Sequence, residues 1–179
     1  MTPRRFAVLA VCTANICRSP MMEAMLRARL DPERFEVASA GVQGWSAHPM
    51  DRMAEMELRR FGLTAERFRS HPIDAYLVES ADLILTAERS HRARLLEDEP
   101  RALRWTFTLR EFAGLCQELP GDLADARELV AEAARQRHRF SGEYDIRDPF
   151  RRSPDVHRET ADAIDAATDQ IVQRLNACA

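Results

Sequence analysis

Lysine is missing from this 179-residue chain, so all 26 basic residues outside histidine are arginine. We read that absence as genome base composition rather than function. The net charge is only −3, and a balance so near neutral gives no electrostatic reason to expect a nucleic-acid partner. No apolar run approaches the roughly 18 residues of a membrane span. Met1 to Ala14 has the outline of a secretion signal, with Arg4-Arg5, an apolar segment and a small residue. The apolar part, Phe6 to Val11, is too short for a signal core and reads better as a strand. Four cysteines without zinc-finger spacing and five scattered histidines make no metal set. No metal is expected, and reduced thiols in the cytoplasm are the default. Neither a repeat nor a low-complexity linker interrupts the chain, and its length suits one domain with a proper core, residues 1–179.

What is present alternates between strand and helix. Phe6 to Val11 is a continuous apolar run, as in a strand covered on both faces. Ser19-Pro20 opens a helix in which Met21, Met25, Leu26 and Leu30 form an apolar stripe, read as core. Phe35 to Ser39 is a second strand, closed by Gly41, and a helix from about Asp51 presents Met53, Met56 and Phe61 and stops at Gly62. Leu83 to Leu85 is a third strand, Arg89 to Glu97 a helix, and Leu103 to Phe107 a fourth strand. Asp122 to Arg139 reads as a charged helix with a weak apolar side, and Ser153-Pro154-Asp155 starts the last helix. This order predicts an α/β fold: one twisted four-stranded parallel sheet with helices on both faces. The loop after strand one then lies at the carboxyl edge of the sheet, where such folds place ligands.

That loop reads Cys12-Thr13-Ala14-Asn15-Ile16-Cys17-Arg18-Ser19-Pro20. The N–H groups and dipole of an opening helix favour an anion, whether phosphate or thiolate. Arg18 offers a bidentate fork to two phosphate oxygens. Cys12, over the same positive field, is the candidate nucleophile, and the amides of residues 13–18 are the candidate phosphate cradle. The departing oxygen needs a proton and the later water needs a base, work that one carboxyl group can do in turn. Asp148, stiffened by Pro149, is the candidate, with Asp145 a weaker rival.

The whole pattern resembles the low-molecular-weight protein tyrosine phosphatase family, whose loop reads Cys-x-Gly-Asn-x-Cys-Arg-Ser-Pro. Ser39-Ala40-Gly41, the strand Ala81 to Leu85, and Asp148-Pro149-Phe150 match further segments, and only about residues 115 to 142 stand apart. A helical insertion at about 118–140 is therefore expected, most simply a solvated helix. The resemblance implies hydrolysis of phosphotyrosine proteins through a phosphocysteine intermediate, possible opposition to a tyrosine kinase, and no cofactor. It also implies roles within the site. Asn15 braces the loop, Ser19 stabilises the thiolate, Ser39 supports both, Asp148 is the general acid, and Trp45 and Phe150 flank the substrate ring. Cys17 either fills space or traps an oxidised Cys12 as a disulfide.

Three positions depart from the family pattern. Ala14 replaces a glycine and would be strained at positive φ; Phe68 stands where some members carry a histidine of the loop-supporting network; Arg151 stands where others have glycine or an aromatic. Two alternatives stay open. Protein arginine phosphatases share the loop but carry threonine where this chain has Ile16. A non-catalytic phosphoprotein binder would keep the cradle and lose turnover. An arsenate reductase would need further cysteines near strand three, and residues 70–100 have none.

Overall fold

The computed structural model describes residues 4–178; Met1 to Pro3, the start of the signal-like stretch, and Ala179 lie outside the described residues. Four parallel strands, β1 (Phe6–Cys12), β2 (Phe35–Gly41), β3 (Leu83–Thr86) and β4 (Thr106–Thr108), make one sheet in the order β2-β1-β3-β4. Every residue of β1 is buried, because helices cover both faces of this central strand. Side chains alternate along it. Phe6, Val8, Ala10 and Cys12 join the larger core, which also holds Met21, Met22, Met25 and Leu26 of α1 (Arg18–Arg29) and Ile164, Ile171 and Leu175 of α7 (Pro154–Ala177). Leu9 and Val11 face a smaller core with Val78 and Leu95; these come from α3 (Ala75–Ser80) and α4 (Arg89–Asp98). The methionine stripe of α1 is thus core, as its spacing implies.

Several boundaries differ from expectation, each for a local reason. In α2 (Arg52–Arg60) the buried residues are Ala54, Glu57 and Leu58, while Met56 is exposed. Asp51 caps this helix through the N–H groups of Met53 and Ala54. Leu103 belongs to a 3₁₀ turn (Pro100–Arg104) rather than to β4, which starts at Thr106. Helix α5 (Leu109–Glu118) was not anticipated; the Thr108–Glu111 capping box starts it directly at the end of β4. The charged helix is shorter than read, α6 (Ala126–Gln136). It is not a fully solvated element, since Ala126, Leu129, Val130 and Ala133 are buried.

The chain leaves β1 toward β2 on one side, and β3 lies on the other. The carboxyl end of β1 is therefore a topological switch point, where a crevice opens in this class of sheet. Cys12 is the last residue of that strand and Arg18 the first of the helix that follows.

Candidate active site

Between Cys12 and Arg18 the backbone turns back on itself around Asn15, which holds a left-handed φ of 57°. Asparagine tolerates that conformation better than most residues. The strain expected at Ala14 is absent, since the positive φ falls one residue later. The loop lies directly on the end of β2. A Cβ on Gly41 would stand 2.7 Å from the Thr13 carbonyl oxygen and 2.9 Å from the Asn15 nitrogen, so only glycine permits this approach. The carbonyls of Cys12, Thr13 and Ile16 accept from the N–H groups of Val42, Gln43 and Asp51 at 3.0, 2.9 and 2.7 Å. With its carbonyls so engaged, the loop leaves the amides of Thr13 to Cys17 with no acceptor among the described residues.

A hydrogen-bond chain runs to Cys12. The His71 N–H donates to Asn15 Oδ1 at 2.9 Å, which orients the amide. Asn15 Nδ2 then donates to Ser19 Oγ and to Ser39 Oγ, both at 2.8 Å. The Ser39 hydroxyl donates to the Glu23 carboxylate at 2.5 Å. Ser19 Oγ, accepting from Asn15, lies 3.0 Å from Cys12 Sγ, a contact in which either atom can donate, and 3.4 Å from the Ala40 carbonyl oxygen, to which its hydroxyl also donates. Ser19 does not cap α1, whose N-cap residue is Cys17. Phe68, at the position of the absent histidine, packs against the core, and the His71 backbone supplies the contact to Asn15.

Arg18 is 1 % exposed. Its Nη1 is committed, to the Glu88 carboxylate and to the Ile146 carbonyl at 2.8 Å. Nη2 makes only longer contacts, 3.4 Å to Thr13 Oγ1 and 3.3 Å to the Asp148 carboxylate. Buried Nε has no partner. One side of the guanidinium is therefore anchored, and the Nε–Nη2 edge is the side with donors to spare. Burial alone would raise the Glu88 carboxyl, but the hydrogen bond and charge of Arg18 outweigh it and hold the group below its ordinary value. Sequence reasoning missed Glu88. The available signal was its place just past the end of β3, at the ligand-bearing edge of the sheet.

Asp148 is half-exposed at the mouth of this crevice, and its Oδ1 accepts the Phe150 N–H at 3.2 Å. The segment is pinned by the Ile146 N–H donating to the Ala87 carbonyl at 2.8 Å, at the end of β3. Asp145 is occupied elsewhere. It accepts from the Arg89 backbone at 2.8 Å and side chain at 2.9 Å, and those hydrogen bonds lower its carboxyl from the ordinary value. Trp45 and Phe150 do meet, with ring centroids 6.3 Å apart, but at 88°. The two rings form a corner. Arg151 has φ 58° and lays its guanidinium 5.1 Å from the Phe150 ring. A glycine would relieve that strained backbone.

Ile16 is mostly core, 8 % exposed. Cys17 is buried too; burial first, then the nearby Asp51 carboxylate and Cys12, push its thiol far up. Neither Cys12 nor Cys17 is in a disulfide. Among the described residues no group of His, Cys, Asp or Glu could hold a metal, and no helix is long and apolar enough to cross a membrane.

Comparison with known proteins gives a consistent family. The chain is 29 % identical over 170 residues to the low molecular weight protein-tyrosine-phosphatase Etp of Escherichia coli K12, covering 95 % of each chain. Its fold superposes on the YwlE arginine phosphatase of Geobacillus stearothermophilus with a TM-score of 0.76 at 28 % identity, over 95 % of this chain and 92 % of that one. It also superposes on Vibrio vulnificus Wzb in complex with benzylphosphonate, with a TM-score of 0.74 at 26 % identity, over 96 % and 100 %. The sequence profile of the low molecular weight phosphotyrosine protein phosphatases matches residues 7–136, and by that match the chain belongs to this family.

Proposed function

We propose that the protein hydrolyses phosphotyrosine through a phosphocysteine intermediate. The observation that carries this reading is Arg18, buried and anchored at Nη1 with its Nε unpartnered, at the end of the same loop that begins with the Cys12–Ser19 contact. The Nε–Nη2 edge and the loop amides receive the phosphate oxygens as charge spreads in a loose transition state. The Cys12 thiolate, stabilised by the Ser19 hydroxyl, attacks phosphorus. The bond from phosphorus to the tyrosyl oxygen breaks, and Asp148 gives that oxygen its proton. Asp148, now a carboxylate, takes a proton from water; the water oxygen attacks phosphorus and the sulfur leaves as thiolate. Thr13, Ala14, Asn15, Ile16, Cys17 and Ser19 shape the cradle, and Ser39 supports it. Asp145, held by Arg89, is the poorer acid.

The corner of Trp45 and Phe150 supports an aromatic substrate, because a phenyl ring buries apolar surface against both walls. The substrate is a phosphotyrosine protein, which makes a tyrosine kinase the natural opposing enzyme. Four free thiols suit a cytoplasmic setting. The segment 118–140 is read as an insertion serving packing, since α6 contributes no residue to the site described above.

A side-by-side assay of phosphotyrosine, phosphoserine and phosphoarginine peptides, with arsenate reduction as control, tests the assignment. The expected order is phosphotyrosine well above phosphoarginine, with phosphoserine poorest because its phosphorus cannot reach Cys12 past the aromatic corner. Ile16→Thr should narrow the first gap, since a buried guanidinium needs an acceptor. Faster turnover of phosphoarginine than of phosphotyrosine in the wild type would transfer the protein to the arginine branch.

A further inference from the structure

One buried titratable side chain faces the cradle without a part in the chemistry above. His91, in the first turn of α4, is 4 % exposed. Its Nδ1 accepts the Glu88 backbone N–H at 3.1 Å, the backward half of a capping box. That bond settles the tautomer: with Nδ1 accepting, the proton of the neutral ring sits on Nε2. Nε2–H then donates to Thr13 Oγ1, 2.9 Å away. Burial, with the Arg18 charge next, pulls the imidazole down to about 4 even though Glu88, Asp148 and Asp145 act the other way, so the neutral form holds near pH 7. On its far side Thr13 Oγ1 lies 3.4 Å from Arg18 Nη2, the nitrogen left over once Nη1 is anchored.

We propose that His91 is a positioning residue for the phosphate-binding arginine. It reaches Arg18 by two routes at once. Through Nε2 it fixes the Thr13 hydroxyl against the free edge of the guanidinium. Through Nδ1 it fixes the backbone of Glu88, whose carboxylate holds the opposite edge. A rigid ring with one acceptor and one donor suits this double task, because neither contact can shift without the other. The proposal rests on the phosphatase reading given above.

The two contacts can be separated by amide side chains. His91→Asn places an oxygen where Nδ1 stands and keeps the Glu88 contact, but it lacks the donor to Thr13. His91→Gln places its nitrogen near Nε2. With p-nitrophenyl phosphate as substrate, His91→Asn should lower kcat about 10-fold and weaken inhibition by orthovanadate by a similar factor, the scale of one hydrogen bond. KM should change much less. Thr13→Val should lose a similar factor, and the double variant should lose no more than either single one. His91→Gln and Thr13→Ser should each recover part of the corresponding loss. Multiplying losses in the double variant, or an unimpaired His91→Asn beside an active wild type, would overturn the proposal. If His91→Asn does not fold, the Thr13→Val and Thr13→Ser pair decides, since equal rates in those two would leave the hydroxyl without a role. A wild type inert toward p-nitrophenyl phosphate would instead remove the phosphatase reading itself.

Discussion

Cys12→Ser is expected to abolish turnover while phosphate binding survives. A hydroxyl is far less ionised and less nucleophilic than a thiol, and loss of a covalent nucleophile costs on the order of 10⁴–10⁶-fold in kcat. Binding depends on other groups. The loop amides are set by Gly41 and Asn15, and Arg18 is anchored by Glu88 and Ile146. None of these contacts involves sulfur. Calorimetric titration with inorganic phosphate should therefore give an affinity within a few-fold of the wild type. A Cys12→Ser protein with substantial turnover would sink the covalent mechanism, whereas lost binding would mean that the sulfur organises the cradle.

Asp148→Ala should slow phenyl phosphate by roughly 10²–10⁴-fold, the usual worth of general acid help. The diagnostic lies in the leaving-group series. Aryl phosphates with strongly acidic phenols depart without a proton and should lose much less. Equal losses across the series would remove Asp148 from the acid role. Asp145→Ala provides the comparison, because it removes a group already held by Arg89 at the rim. Its effect should be small and independent of the leaving group.

The local parts of this site were legible in the sequence, and the parts built by long-range closure were not. A strand covered on both faces, a loop of fixed length and a helix opening at Ser19-Pro20 are short-range patterns, so Cys12 and Arg18 could be placed together from the sequence; Asn15 and Ser19 took their roles from the family resemblance. Asp148 beside the stiffening Pro149 could be named as a candidate acid, but it was the resemblance that set Asp148-Pro149-Phe150 apart, because as a lone dipeptide Asp-Pro reads as a turn. Glu88 and His91 were missed because nothing in Glu88-Arg89-Ser90-His91 marks a site locally. They matter only when β3 pairs with β1, with Val11 opposite Thr86, and brings the start of α4 beside the loop. The fourth strand was misplaced because Leu103 is apolar enough to pass for strand, while the 3₁₀ turn after Pro100 delays β4 to Thr106. Helix α5 went unseen because it begins without a linker after β4.

Arg18 is tied to partners 70 and 128 residues downstream, and this bears on how the molecule is made. Cys12, Ser19 and Asn15 all come from the first 41 residues, apart from the His71 amide, and can assemble early during synthesis. The arginine cannot be locked until β3 has entered the sheet and the turn at Ile146 has docked. Contacts between residues so distant in sequence close late, because the loop entropy must be lost before they form. A refolding chain should therefore regain its sheet signal in circular dichroism before it regains phosphatase activity. An emerging polypeptide would likewise carry a formed but idle cysteine loop until its C-terminal portion is out. Catalytic power then reports completion of the whole domain, and a fragment ending before Ile146 would bind anions poorly and turn nothing over.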